Sequence, residues 1–496
     1  VLGIAIAALA LHLLTAERYG IFRDEMYGLA LARHLAWGYV DCPPGGAAVA
    51  WAAHRLFGDS LLGLRLFPAL AGAALIWLTA VLARELGGNG FAQVLAALTV
   101  SIVPVYLIMD HWLLLYAFEP LFWIGAALCV VRAINRGDDR YWLGFGVLVG
   151  AGLEFKYSIA FLAAGLVVGL VLTSQRQALR RPCFWWGVLA CVLIALPNFV
   201  WQARNGFPFL ELMHNIREGH RDVVRSPASF IIEQVEIMNP VVAPLWVAGL
   251  FWLIFGRSRG QYAVLGCAFL SVLGTFIVLK GKDYYVTPAY PMLFAAGAVA
   301  FEQATDLRSR WMRSAYAATV LGGGLILLPL CCPILSPENF IKYRATLGVT
   351  LPESEHQNNG PLPQYFSDEF GWEDMAREVA RVYQTLTPQE QARTAVFSNN
   401  WGDAAAVDFF GPKYGLPGAI CKHDAYWYWG PGAGAVDNVI ILHTDGSGDR
   451  PFFASVTAVG HVGTAYSRRD EHFTIYLGRG FKTSLQALWP RLRLLD

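Results

Sequence analysis

Long stretches nearly free of charge alternate along the chain with short polar connections. Apolar runs able to cross a bilayer, about 20 residues each allowing for tilt, fall near 1–16, 62–83, 91–109, 113–132, 141–155, 156–173, 184–203, 241–256, 261–280, 286–302 and 315–333. This pattern predicts about eleven transmembrane helices. The pair around 141–173 is the least sharply divided, because Glu154 and Lys156 interrupt one continuous apolar stretch. The first run has no basic leader or small-residue cleavage pattern, so it reads as a transmembrane helix cut short at its start and not as a signal peptide.

Orientation follows from the basic residues of the short connections. Every second connection is basic: Arg84; Arg132, Arg136 and Arg140; Arg176, Arg180 and Arg181; Arg257 and Arg259; Arg308, Arg310 and Arg313. Those five are assigned to the cytoplasm. The alternate connections are then exoplasmic, and two of them are long, 17–61 and 204–240. In the second, Arg204, Arg217, Arg221 and Arg225 are balanced by Glu211, Glu218, Asp222, Glu233 and Glu236, so it sets no orientation of its own.

After about residue 334 the apolar runs shorten, and Pro, Asn, Asp and Glu rise. The pattern divides the chain into a membrane part, 1–333, and a water-soluble part, 334–496, on the side of the two long loops. Within the latter "EDMAREVARVYQTL" has helical spacing, "TAVFSNNWGDAAAVDFF" reads as strand, turn and helix, and "DNVIILHTD" and "HFTIYLGRG" read as strands. A small α/β domain is expected there.

Composition narrows the function classes. With 55% hydrophobic residues, 15% charged and a net charge of +1, the chain is a polytopic membrane protein with no signature of nucleic-acid binding. The eight cysteines show no zinc spacing or disulfide framework. Cys42 and Cys421 fall on the same side of the membrane, but free thiols are the expected state.

Charge position carries more than charge total. The first apolar run is followed directly by "YGIFRDEMYGLALARHLAWGYVDCPPGG", residues 19 to 46. Its "RDEMYGLALARHLAWGY" suits a helix along the membrane surface that Pro43 and Pro44 stop, holding Asp24 and Glu25 just above the lipid. On the residues alone two readings stay open: a solvated helix end, or a functional pair of carboxylates at a low-dielectric boundary. Asp110, His111 and Glu119, Lys156, and Lys280, Lys282 and Asp283 gather on the same face. Any one of them could be an end-cap. Together they provide what a lipid-anchored phosphate and a proton-losing hydroxyl would need.

"RDEMYGLALARHLAWGYVDCPPG", "FGDSLLGLRLFPALAGA", "FEPLFWIGAAL", "GLEFKYS" and "GKDYYVTPAYPMLFAAGA" together resemble the bacterial branch of the dolichyl-phosphate-mannose protein mannosyltransferase-like glycosyltransferases, relatives of the lipid A aminoarabinose transferase. "NNWGDAAAVDFFGPKYGLP" and "HDAYWYWGP" look like that branch's periplasmic domain. The resemblance implies a C-type glycosyltransferase fold, a polyprenyl-phosphate sugar donor, and a catalytic acid in the first exoplasmic loop at Asp24, with Glu25 beside it. It matches Asp41 to an acidic position linked to metal or acceptor binding, and Lys156 and Lys282 to lysines facing the donor phosphate and closing the last catalytic-side loop. Glu154 and Phe155 stand where a small polar residue often precedes the lysine, and no bulky apolar residue follows Pro44.

The mechanism so implied has Asp24 take the proton of an acceptor hydroxyl as its oxygen attacks the anomeric carbon, with inversion. Lys156 and Lys282, helped by Arg23 or an arginine of 204–240, would hold the leaving phosphate. Adjacent helical residues point about 100° apart, so Asp24 and Glu25 are not expected to address one atom; the resemblance selects Asp24. Asp41, Glu119 and His220 are the acceptor or metal candidates, with His214 nearby. A divalent cation is the one cofactor for which ligands exist, at Asp41 and Glu25, and these are too few to define a site. The dense "YWYWGP" is expected to pack against the membrane part more than to bind sugar. The partners implied are the lipid-linked donor, an envelope hydroxyl and membrane lipids, at the periplasmic face of a bacterial inner membrane. A flippase for lipid-linked sugar is the alternative, and it would place acids near the bilayer midplane.

Overall fold

The computed structural model describes residues 1–219, 221–256, 260–305, 309–350, 355–356 and 358–496. Each of the eleven apolar runs contains a helix, from Leu2–Thr15 and Leu61–Glu85 to Tyr290–Ala304 and Arg310–Cys331. Among the described residues, four helices are by themselves long and apolar enough to cross a membrane: Leu61–Glu85, Leu115–Arg136, Pro182–Arg204 and Arg310–Cys331. The others are shorter. Leu2–Thr15 has 14 residues and Gly90–Ile102 has 13, about 20 Å at 1.5 Å per residue.

The span expected over 91–109 is divided. Pro104 lacks an N–H and disfavours a helical conformation before it, so Val103 is extended and a separate helix, Pro104–Met109, follows. Ile159–Leu172 bends by 115° into the turn at Ser174–Arg180, and Pro227–Ile237 meets Pro240–Phe255 at 98°. Arg257, Arg259 and Arg308 lie outside the described residues.

The bundle is inside-out by the standards of a water-soluble core. Trp185, Val192, Leu193 and Phe199 of Pro182–Arg204 are exposed, as lipid contact requires. On its inner face that helix meets Arg140–Leu153 so closely that a Cβ on Gly146 would stand 2.0 Å from the Gly187 carbonyl oxygen. The chain is a multi-pass helical membrane protein.

The first long connection departs from expectation. Its first helix is Arg23–Arg33 and ends at His34, before the prolines; Pro44 instead caps the start of a second helix, Gly45–Phe57. Proline fits there because the first turn of a helix leaves its N–H groups unused in any case.

The C-terminal part carries a five-stranded sheet of β1 (Thr394–Ser398), β2 (Ala419–Cys421), β3 (Asn438–Leu442), β4 (Phe453–Val462) and β5 (Phe473–Phe481), in the order β2-β1-β3-β5-β4. The pairs β1–β2 and β1–β3 are parallel, whereas β3–β5 and β4–β5 are antiparallel. Helices Trp372–Gln384 and Trp401–Phe410 cover one face, burying Met375, Val379, Ala404 and Val407 against Val396 and Ile440. All eight cysteines, Cys42 and Cys421 included, are free thiols.

Candidate functional site

The helix Arg23–Arg33 lies between the bundle and the sheet domain. On the bundle side it is fixed by Glu25. This carboxylate accepts the Phe22 N–H at 2.9 Å, closing the helix start, and the Leu113 N–H at 3.0 Å. It also takes Arg65 Nε at 3.1 Å and Nη2 at 2.8 Å, while Arg65 goes on to the Ala16 and Gly20 carbonyls and to Glu369. Glu25 and Arg65 are fully buried. With both oxygens already occupied by a guanidinium and two backbone amides, Glu25 is not arranged to hold a cation beside Asp41.

On the domain side the same helix is gripped by its other residues. The Tyr27 ring stands 4.5 Å from Trp401, and Arg33 donates to the Asp408 carbonyl at 2.9 Å. Arg23, expected near a donor phosphate, is turned this way too. Its guanidinium donates to Asn400 Oδ1 at 2.6 Å and lies 4.0 Å over the Trp401 ring. The "YWYW" run packs as expected, with Tyr426 donating to Asp408 and Trp429 stacked on His34 at 4.2 Å.

Asp24 differs from its neighbour in every respect. It is half-buried, and among the described residues its carboxylate has no hydrogen-bond or ion-pair partner. Burial, reinforced by Asp368, Glu355 and Asp41 against the opposing charge of Arg23, pushes its pKa up to about 7. Asp41 is also shifted upward, chiefly by burial, although Tyr27 Oη donates to it at 3.0 Å.

The two lysines are brought into one cationic region. Lys156 Nζ lies 3.0 Å from Glu119 Oε2, and 4.3 Å and 4.5 Å from the Tyr116 and Tyr285 ring centroids. Ser158 donates to the other oxygen of Glu119. Glu119 is therefore the partner of Lys156 and the Ser158 hydroxyl. Lys282 pairs with Glu355 and, at 3.3 Å, with Asp222. Burial opposes its charge, but Tyr285, Glu355 and Asp222 outweigh that and hold its pKa above the usual lysine value. Arg221 stands 3.7 Å from Asp222 and 4.0 Å from Glu355, and its charge also acts on Asp41.

Sequence reasoning did not single out Arg65, Glu355, Tyr116 or Tyr285. Arg65 had a signal, since an arginine inside an apolar run is costly unless paired; Glu355 had none. Lys280, Asp110 and His111 do not join the cluster around Asp24: Asp110 is buried against Gly72, and His111 lies by Arg65 and His12. His214 pairs on the surface with Glu218, and His220 lies outside the described residues.

Comparison with known proteins bears on this geometry. Residues 41–201 match the family model described as dolichyl-phosphate-mannose-protein mannosyltransferase. Over 201 residues the chain is 31% identical to the undecaprenyl phosphate-alpha-4-amino-4-deoxy-L-arabinose arabinosyl transferase 1 of Pseudomonas fluorescens (strain Pf0-1), a match covering 37% of this chain and 33% of that protein. The match thus spans only a third of that relative's own length. An uncharacterized protein of Aquifex aeolicus is 22% identical over 60% of this chain and 59% of its own. The crystal structure of ArnT from Cupriavidus metallidurans bound to undecaprenyl phosphate superposes with a TM-score of 0.63 at 15% identity, over 96% of this chain and 97% of that one. Its apo form gives 0.62. The fold is therefore that of ArnT along nearly the whole chain, and the resemblance carried by the sequence motifs is shown.

Proposed function

We propose that this chain is an integral membrane glycosyltransferase that moves a hexosyl or pentosyl group from a polyprenyl phosphate to a hydroxyl of an envelope acceptor. The acceptor would be a lipid, glycan or protein at the periplasmic face of a bacterial inner membrane. The relatives support the donor class, since one is named for an undecaprenyl-phosphate-linked aminoarabinose and another was solved with undecaprenyl phosphate. Residues 1–333 would form the membrane catalytic domain, built on about eleven spans, and 334–496 the periplasmic domain.

The observation that carries the reading is the half-buried carboxylate of Asp24, which has no hydrogen-bond or ion-pair partner among the described residues and feels the charges of Asp41 and Glu355, themselves faced by Arg221 and Lys282. A base with a pKa near 7 can take a proton from an alcohol as its oxygen becomes nucleophilic. In this scheme the acceptor oxygen bonds to the anomeric carbon from the face opposite the phosphate, the carbon–oxygen bond to phosphate breaks, and Asp24 keeps the proton. The product is inverted at that carbon. Polyprenyl phosphate departs as a monoester whose charge Lys156, Lys282 and Arg221 would hold. Glu25 acts as a positioning residue, anchoring the turn on which Asp24 stands. Asp41 and Glu119 are assigned to the acceptor side and to Lys156, respectively.

The test is release of polyprenyl phosphate from a panel of polyprenyl-phosphate sugars by the lipid-reconstituted protein, comparing wild type with Asp24→Asn. Loss of turnover with retained donor binding is expected. Equal turnover in both proteins would remove Asp24 from the chemistry.

A further inference from the structure

We propose that Asp403, His443 and Glu471 form a binding site for one divalent metal ion of the zinc class inside the C-terminal sheet domain. Asp403 lies in the first turn of Trp401–Phe410, His443 directly follows β3, and Glu471 sits in the turn Arg469–Glu471 before β5. One donor atom from each lies within 4.8 Å of the other two. Among the described residues this is the one group of three or more histidine, cysteine or carboxylate side chains so arranged.

The separations fit a shared ion. His443 Nδ1 is 3.4 Å from Asp403 Oδ2 and 3.8 Å from Glu471 Oε2. Two ligands each about 2.1 Å from a tetrahedral ion stand about 3.4 Å apart. One imidazole with two carboxylates is a nitrogen–oxygen donor set suited to zinc.

The hydrogen-bonding state of the same three side chains gives a second argument. Asp403 is fully buried and Glu471 is 4% exposed, yet among the described residues Asp403 Oδ1, Glu471 Oε2 and His443 Nδ1 have no hydrogen-bond partner. Each such orphan is destabilising unless something satisfies it. The remaining oxygens are occupied. Ser398 Oγ donates to Asp403 Oδ2 at 3.3 Å, and Arg468 donates to Glu471 Oε1, which fixes both carboxylates in place. Asp403 and Glu471 also border a small, mostly apolar cavity that His443 does not line. His443 holds φ at 56°, a conformation that a residue other than glycine keeps only where its surroundings enforce it.

Charge leaves room for a cation. Arg23 and Arg468 face the carboxylates of Asp368, Asp403 and Glu471, so with neutral His443 one negative charge is uncompensated. A proton on His443 would neutralise that charge, and a divalent ion would take the cluster to one net positive charge. A bound ion would tie together the helix start, the end of β3 and the entry to β5, one residue along from Gly402, against which Arg23 packs.

The experiment uses the full-length protein in detergent, stripped with a chelator and then loaded separately with Zn²⁺ and Co²⁺. We expect one zinc per chain after removal of excess, and with cobalt the visible absorption of a tetrahedral nitrogen–oxygen site without the near-ultraviolet band of a thiolate ligand. Both signals should disappear in His443→Ala and in Glu471→Gln. Wild-type protein that retains no stoichiometric metal overturns the proposal and leaves the His443 proton as the cluster's cation. So does stoichiometric metal that persists in both variants, or a thiolate band in the cobalt protein. The wild-type measurements decide even where a variant fails to fold.

Discussion

Arg65 and Glu25 are joined by two guanidinium–carboxylate hydrogen bonds, at 2.8 Å and 3.1 Å, and neither side chain reaches solvent. Forty positions separate them in sequence, and the pair pins the first-loop helix to the bundle. Breaking a buried pair costs about 3–5 kcal/mol where a charge is left stranded; loss of Arg65 strands both Glu25 and Glu369, and loss of Glu25 leaves Arg65 with Glu369 alone. Glu25→Ala and Arg65→Met are therefore each expected to lower the unfolding temperature strongly in detergent. Asp24→Asn, one residue away, loses no partner among the described residues and should not lower it. Equal destabilisation by the two acid substitutions would contradict this division of labour.

The pKa of Asp24 gives two pH dependences of opposite sense. With Asp24 as the proposed base, kcat/KM for sugar transfer should rise with pH and level off above about 7. Stability should move the other way. The folded state holds the proton up to about 7, whereas an exposed aspartic acid releases it near 3.8, so between those values the folded state binds more protons and loses stability as pH rises. Asp24→Asn should accordingly stabilise the protein by about 1–3 kcal/mol at pH 8 and by little at pH 4. Thermal unfolding of both proteins at the two pH values checks the sign.

Lys156 and Lys282 should behave unlike Arg23. Lys156→Met and Lys282→Met are each expected to reduce sugar transfer by about 10²–10³-fold, through loss of charge at the departing phosphate. Arg23→Met removes the hydrogen bond to Asn400 and the stack on Trp401. It should loosen the sheet domain, seen as faster limited proteolysis, while leaving the donor's KM where it was. A raised donor KM in that variant would return Arg23 to the phosphate.

How much of this was legible in sequence depends on the range of the interaction. The eleven helical segments could be read because a chain in lipid must satisfy its backbone within each segment, which enforces long apolar runs. Their breaks were less visible: Pro104 interrupts a run whose hydropathy is continuous. β4 was missed because "FASVTAVGHV" is an edge strand of small, largely exposed residues, without the bulky alternation that marks β5. Helical geometry said correctly that Asp24 and Glu25 diverge, but it could not say which one was consumed. That depended on Arg65, and the pairing of Lys282 with Glu355, 73 positions away, left no local mark at all.

The long reach of these contacts sets an order of events in the making of the protein. Arg65 meets its second carboxylate only at Glu369, the Arg23 amide is bound by the Asp368 carbonyl, and the Arg23 side chain waits for Asn400. A nascent chain that has threaded every apolar helix into the bilayer still lacks all three, because they arrive with the last quarter or so of the polypeptide. The loop bearing Asp24 therefore gains its last fixed contacts only once the C-terminal sheet domain has been made and folded.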